Sequence, residues 1–228
     1  MTHMHIPDGI LPVWLWVSGF ILMAFILGFS LLQLRNIDMK RKIPLLGAVA
    51  AAMLVAMNLE IFIIGYHINL SVAAGILLGP ALGFVAAFIA NVMLALMGHG
   101  GITVLGLNTF LLGSEAVLGH TVFFLLKKRL PVFWRAATAT VLTQFVATLL
   151  LIGIVAVSRV NPALFGHEEE HAGAIRDSVR MFAAVVLSFG SIGWVIEAAI
   201  TGSVMKFISQ VKPDLLGHVL HRDTSAEK

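Results

Sequence analysis

Residues 61–114 contain no Asp, Glu, Lys or Arg, and an uncharged stretch of that length belongs in a bilayer. One transmembrane helix takes about 20 apolar residues, so this run has to fold back at least once within the membrane. Gly79-Pro80 is its best turn signal, because proline disfavours helical geometry in the residue before it and readily opens the next helix. Gly9–Leu34 is equally free of charge, and further apolar runs cover 136–158 and 181–196. The chain is 59% hydrophobic and 12% charged, against about 25% charged for an ordinary soluble domain. These features describe an all-α integral membrane protein, a bundle of transmembrane helices.

The few charges orient it. Arg35, Lys40, Arg41 and Lys42 follow the first span, and Lys127, Lys128, Arg129 and Arg135 separate two later ones. Positive loops face the cytoplasm, which predicts the N-terminus outside, the polar stretch 159–176 outside, and the tail with Lys206, Lys212 and Arg222 inside. An odd number of crossings follows. Seven fit if the spans run over 12–34, 44–65, a short 70–79, 80–98, 104–127, 132–158 and 178–209; five fit if part of 66–98 is re-entrant. Met1 to Leu11 lacks the basic start of a secretory signal, so the first run is expected to be a retained span. With no internal repeat and no Ser/Gly linker, the expected organisation is one membrane domain, 1–210, and a cytoplasmic tail, 211–228.

Several function classes are excluded or disfavoured. The absence of cysteine removes disulfides and thiolate chemistry. No Gly-x-x-x-x-Gly-Lys-Ser/Thr string is present to cradle a nucleotide, so any ATP-driven step requires another subunit, and no Gly-x-Ser-x-Gly elbow offers a serine nucleophile. The formal charge of +3 sits in the topological clusters and does not point to nucleic acid. His167-Glu168-Glu169-Glu170-His171 has a histidine pair at zinc-protease separation, but it falls in the expected external loop rather than a membrane helix. There it reads as a solvated acidic loop that raises the local cation concentration, or, if helical, as a weak divalent-cation site.

The polar start Met4-His5-Ile6-Pro7-Asp8-Gly9 places a histidine immediately before the first span. His67 and His99, the latter among glycines in Gly98-His99-Gly100-Gly101, fall on the same, outer side. Each alone reads as an interfacial or packing histidine; together with His5 they suggest a site, since ionisable groups at membrane depth usually have a functional reason. Glu60, Glu115 and Glu197 are intramembrane or interfacial carboxylates expected to pair helices and are not assigned to metal.

Met4-His5-Ile6-Pro7-Asp8-Gly9-Ile10-Leu11-Pro12, the placement of His67 before Gly79-Pro80, His99-Gly100-Gly101-Ile102-Thr103 through Leu105-Gly106-Leu107-Asn108, Trp194-Val195-Ile196-Glu197 through Gly202, and Lys212-Pro213-Asp214-Leu215-Leu216 together resemble the CbiM/NikM family over almost the whole chain. Those proteins are the substrate-capturing membrane components of energy-coupling-factor ABC transporters for cobalt or nickel. The resemblance implies seven transmembrane helices and no enzymatic activity or catalytic cofactor of the chain's own. It implies a transported Ni²⁺ or Co²⁺ ion held by the terminal amine of a Met-His start, the amide nitrogen and imidazole of that histidine, and a second imidazole. On this sequence those groups are Met4, His5 and His67. Four nitrogens favour a square-planar d⁸ ion, and coordination requires a neutral imidazole and a deprotonated amide. Asn69, His99 and Asn108 become candidates for orienting the ligands.

Met1-Thr2-His3 precedes Met4 and displaces the amine that this chemistry requires. Translation from Met4 would restore it and is the expected start. Removal of Met1 would make His3 the second residue, and an intact Met1-Thr2-His3 terminus would itself chelate Ni(II) or Cu(II). N-terminal sequencing separates the three.

Ala48, Ala52 and Ala56 recur every four residues on the second span, a spacing that permits close helix packing. The resemblance makes this stripe a docking face for a transmembrane coupling subunit; intramolecular packing is the other reading. Further partners implied are cytoplasmic ATPase subunits, a small accessory membrane subunit and the lipid of the cytoplasmic membrane. Two other classes compete with ion uptake. An intramembrane metalloenzyme would need an open coordination position and a general base; a metal-sensing membrane protein would need neither.

Overall fold

The structure, a computed structural model, describes residues 6, 8–9, 11–35, 39–40, 42–61, 66–98, 100–159 and 169–217. Helices α1 (Val13–Leu34), α2 (Lys42–Asn58), α3 (Ser71–Leu78), α4 (Pro80–Leu96), α5 (Leu105–Leu125), α6 (Val132–Arg159), α7 (Glu169–Val211) and the short α8 (Pro213–Gly217) account for most of them. A 3₁₀ turn, Leu126–Lys128, ends α5, and the strands β1 (Glu60–Ile61) and β2 (Tyr66–His67) form a minimal hairpin between α2 and α3. The helical class is therefore as the composition requires. Four helices or helical segments, Val13–Leu34, Leu105–Lys128, Val132–Ser158 and Val179–Val211, are long and apolar enough to cross a membrane, and Lys42–Asn58 and Pro80–Leu96 are shorter apolar helices.

The bundle is apolar outside and encloses polar groups within an otherwise apolar core. Phe25, Phe29, Leu125, Trp134, Phe189 and Phe207 are exposed, whereas Asn91, Asn108, Glu115, Gln144, Glu197 and Thr201 are buried. Large apolar side chains facing outward around buried polar groups suit hydrocarbon as the solvent, since polar groups there have to be satisfied inside the protein.

Helix α5 is the hub, packed against α1, α3, α4 and α6, while α6 pairs extensively with α7. Missing side chains explain how so many helices reach it. A Cβ on Gly106 would lie 2.5 Å from the carbonyl carbon of Gly19 on α1, and one on Gly113 2.2 Å from the ring of Phe84 on α4. A Cβ on Gly75 of α3 would lie 1.9 Å from the carbonyl oxygen of Ala116. Small residues allow this backbone approach, and dispersion between closely packed helices replaces the hydrophobic drive that is missing in lipid.

Between α3 and α4, Gly79 has φ 84° and ψ 170°, a region essentially restricted to glycine, and Pro80 opens α4. The break falls where Gly79-Pro80 predicts it. Helix α3 has only 8 residues, about 12 Å of helix against a hydrocarbon thickness of about 30 Å, so it begins inside the bundle.

Two expected boundaries differ. The apolar run 44–65 is not one helix: α2 stops at Asn58, whose Nδ2 donates to the Leu54 carbonyl at 2.7 Å. The chain then turns into antiparallel strands with Glu60 opposite His67, in a stretch whose β-branched and aromatic residues favour extended backbone. The stretch 159–176 is partly helical, because α6 runs to Arg159 and α7 already starts at Glu169. His171 is therefore in a helix rather than a loop, while His167 and Glu168 lie outside the described residues.

Candidate metal-capture site

The segment that follows His5 is held at the N-terminal end of α5. The Ile6 N–H donates to Asn108 Oδ1 at 2.9 Å, and Asn108 Nδ2 donates back to the Ile6 carbonyl at 3.1 Å. One side-chain amide thus serves both backbone polar groups of a single buried residue, as a neighbouring strand would. The Ile6 side chain is buried with Leu11, Leu15, Val104, Leu107, Leu111 and Leu151, so apolar contact and paired hydrogen bonds fix the same residue.

Asp8 forms a second latch. Its carboxylate accepts the Ile102 N–H at 3.0 Å and the Thr103 N–H at 2.9 Å, and the Thr103 hydroxyl also donates to it. These donors lie in the turn entering α5, where backbone N–H groups lack helical partners and a negative charge is favoured. The hydrogen bond from the Thr103 side chain, followed by those from the backbone, holds the Asp8 carboxyl below its ordinary value of 3.8. A carboxyl lowered on docking stabilises the docked state above its ordinary value and loses that contribution only as pH falls through the lowered one. Between about pH 5 and 8 the latch is constant. Asp8→Asn, whose amide faces the same N–H donors, is expected to bind metal more weakly at every pH in that range with an unchanged pH profile; titrations at several pH values check this, and a changed profile shape contradicts it.

His67 ends β2 and is half-buried. Two residues later, buried Asn69 donates from Nδ2 to Glu115 Oε2 on α5 at 2.8 Å, and its Oδ1 accepts the Ser71 N–H at 2.9 Å and the Ser71 hydroxyl at 2.7 Å. The Ser71 hydroxyl also contacts Glu115 Oε2. From α7, Glu197 accepts the backbone N–H groups of Asn69 at 3.4 Å and Leu70 at 3.2 Å. Asn69 therefore braces the backbone beyond His67.

Asn108 and Glu115 lie two helical turns apart on one face of α5, about 10 Å along its axis. The start segment and the His67 connection consequently hang from the same helix. Met4, His5 and His99 lie outside the described residues, and among the described residues no group of three His, Asp or Glu side chains converges to hold a metal. Ala48 and Ala52 are exposed on α2 and Ala56 is half-buried. The sequence pointed to Asn69 and Asn108 but not to the latching role of Asp8 or the contacts of Glu115 and Glu197; for the glutamates the available signal was a carboxylate at membrane depth.

The family model described as CbiM, cobalt uptake substrate-specific transmembrane region, matches residues 5–215. The chain belongs to the CbiM family. A protein of Archaeoglobus fulgidus, provisionally named a fused nickel transport protein, NikMN, is 29% identical over 217 residues, 93% of this chain and 68% of its own. The cobalt transport protein CbiM of Clostridioides difficile is 34% identical over 164 residues, 65% of this chain and 64% of its own. A crystal structure described as that of a transition metal transporter has a TM-score of 0.76 at 19% identity, covering 96% of this chain and 98% of the other, which shows a shared fold. This CbiM-family chain is thus a membrane component of cobalt or nickel transport, and the matched span includes His5, His67, Asn69 and Asn108.

Proposed function

We propose that this chain is the substrate-capturing component of an ATP-driven, energy-coupling-factor uptake transporter for Ni²⁺ or Co²⁺ in the cytoplasmic membrane. The observation that carries the reading is the common support of its two halves: α5 holds the peptide beside His5 through Asn108 and the backbone beyond His67 through Glu115 and Asn69. Met4 and His5 supply nitrogen ligands from the start segment and His67 supplies an imidazole from the hairpin, with Asn69, Asn108 and His99 shaping their surroundings. Two ligand groups brought by separate segments onto one rigid helix favour a fixed coordination geometry.

The proposed orientation is seven crossings with the start segment outside and the 211–228 tail in the cytoplasm, following the basic residues between α1 and α2 and between α5 and α6. Partner subunits hydrolyse ATP, and the exposed Ala48 and Ala52 with Ala56 give the coupling subunit a smooth face on α2. The test is uptake of labelled nickel and cobalt, singly and in competition, in cells that carry the partner subunits. Replacing both His5 and His67 by Ala is expected to reduce uptake to the background of cells without the chain; uptake that survives both substitutions defeats the proposal.

A further inference from the structure

Helix α3 starts inside the bundle, and its entry contains the one non-glycine residue with positive φ among the described residues, Leu70 at φ 55°. A β-carbon disfavours that conformation, and it persists only where the surroundings over-determine it. Leu70 is kept as an apolar residue by its packing, since it borders both the cluster around Ala74, Leu78 and Leu82 and the cluster around Val72, Ile76 and Phe123. Its backbone is held locally by Asn69, whose Oδ1 accepts the Ser71 N–H across it, and from α7. Glu197, fully buried, accepts the Asn69 N–H with one carboxylate oxygen and the Leu70 N–H with the other. These are donors at the start of a helix that has no side-chain cap of its own at Leu70.

We propose that Glu197 is a positioning residue for metal capture: by holding the backbone of Asn69 and Leu70 it sets where the hairpin presents His67. The inference rests on His67 being a ligand. Leu70 is three residues after His67, a tether of at most about 11 Å, so a change in the left-handed turn is delivered directly to the imidazole. Glu115 contributes differently. It engages Asn69 and Ser71 through one oxygen, Oε2, which a glutamine carbonyl can replace, whereas Glu197 uses both oxygens and glutamine leaves an NH₂ facing one of the two N–H groups. The two carboxylates are thereby predicted to respond unequally to the same substitution.

The test uses the full chain, purified, with Ni²⁺ as the probe and four variants: Glu197→Gln, Glu197→Asp, Glu115→Gln and His67→Ala. Calorimetry gives affinity, the visible spectrum of the loaded protein reports ligand geometry, and amide hydrogen exchange over 67–71 reports the turn. Glu197→Gln is expected to weaken Ni²⁺ binding by about 10–100-fold, shift the absorption band and speed exchange over 67–71, while Glu115→Gln, which keeps an acceptor at the Oε2 position, weakens binding and shifts the band by less. Glu197→Asp, which retains the charge but withdraws it by one methylene, should give a smaller change in the same direction and serves if the glutamine variant does not fold. Unaltered affinity and spectrum in the folded Glu197 variant, with binding lost in His67→Ala, overturn the positioning role alone. Unaltered binding in His67→Ala overturns the ligand assignment, and the inference with it.

Discussion

Replacing Gly75 by Ala is expected to cost several kcal/mol of stability and to abolish metal capture. The new Cβ would sit 1.9 Å from the Ala116 carbonyl oxygen, 2.6 Å from its carbonyl carbon and 2.9 Å from its Cα. All three are backbone atoms of α5, so no rotamer change relieves the contact and α3 has to move away. Overpacking of a buried site costs about 1–3 kcal/mol. Separation would also stretch the 2.8 Å bond from Asn69 to Glu115, and a buried polar group left without its partner adds about 1–3 kcal/mol. Thermal unfolding of the purified chain, with Ni²⁺ binding measured on the same material, checks the expectation. Gly153→Ala is the control: nothing lies within 4 Å of its would-be Cβ, and alanine is favoured over glycine in a helix by about 0.5–1 kcal/mol, so that variant should be as stable as the unaltered chain or slightly more so. Equal unfolding temperatures for Gly75→Ala and the unaltered chain would contradict the close approach of α3 and α5.

That contact also marks the limit of what the amino-acid order reveals. The helices themselves were legible because lipid imposes a simple rule, long uncharged runs separated by basic turns, and Gly79-Pro80 announced the α3–α4 break through local backbone preference. The end of α2 was not legible, because apart from Glu60 the residues after Asn58 remain apolar and hydropathy cannot distinguish a strand from more helix. The left-handed Leu70 carries only a faint local signal, the Asn69 side chain that accepts the Ser71 N–H across it; its other support, Glu197, is 127 residues away along the chain. For the candidate site, His5 and His67 stood out as histidines near the ends of apolar runs, and their pairing came from resemblance. The supports did not stand out in the same way. Asn108 grips a backbone 102 residues distant, and Asp8 reads locally as an ordinary turn residue before glycine. Sequence patterns report each residue's relation to its solvent and its immediate neighbours, whereas these latches are tertiary hydrogen bonds whose partners only the packed helices bring together.

The Asn108 latch gives the second large effect, because it can be removed from either side of its hydrogen-bonding pattern. Asn108→Leu keeps the branched shape of the side chain but leaves the Ile6 N–H and carbonyl without their partner in a site where Ile6 is 5% and Asn108 2% exposed. Each stranded group costs about 1–3 kcal/mol, and the start segment avoids the cost by undocking into water. If the undocked form predominates, apparent metal affinity falls in proportion to the competent fraction that remains, so a loss of about 2 kcal/mol or more corresponds to at least ~30-fold weaker binding. Asn108→Asp separates acceptance from donation: its carboxylate still accepts the Ile6 N–H but sets a second oxygen against the Ile6 carbonyl, which now lacks a donor. It is therefore expected to weaken binding as well, with a smaller loss of global stability than Gly75→Ala because α3, α4 and α5 keep their packing. Ni²⁺ and Co²⁺ titrations of both variants, read beside limited proteolysis of the first twelve residues, distinguish an undocked segment from an unfolded protein. Protease resistance equal to that of the unaltered chain, with metal affinity also unchanged, would mean that apolar burial of Ile6 is sufficient and that the paired hydrogen bonds of Asn108 do not hold the segment in place.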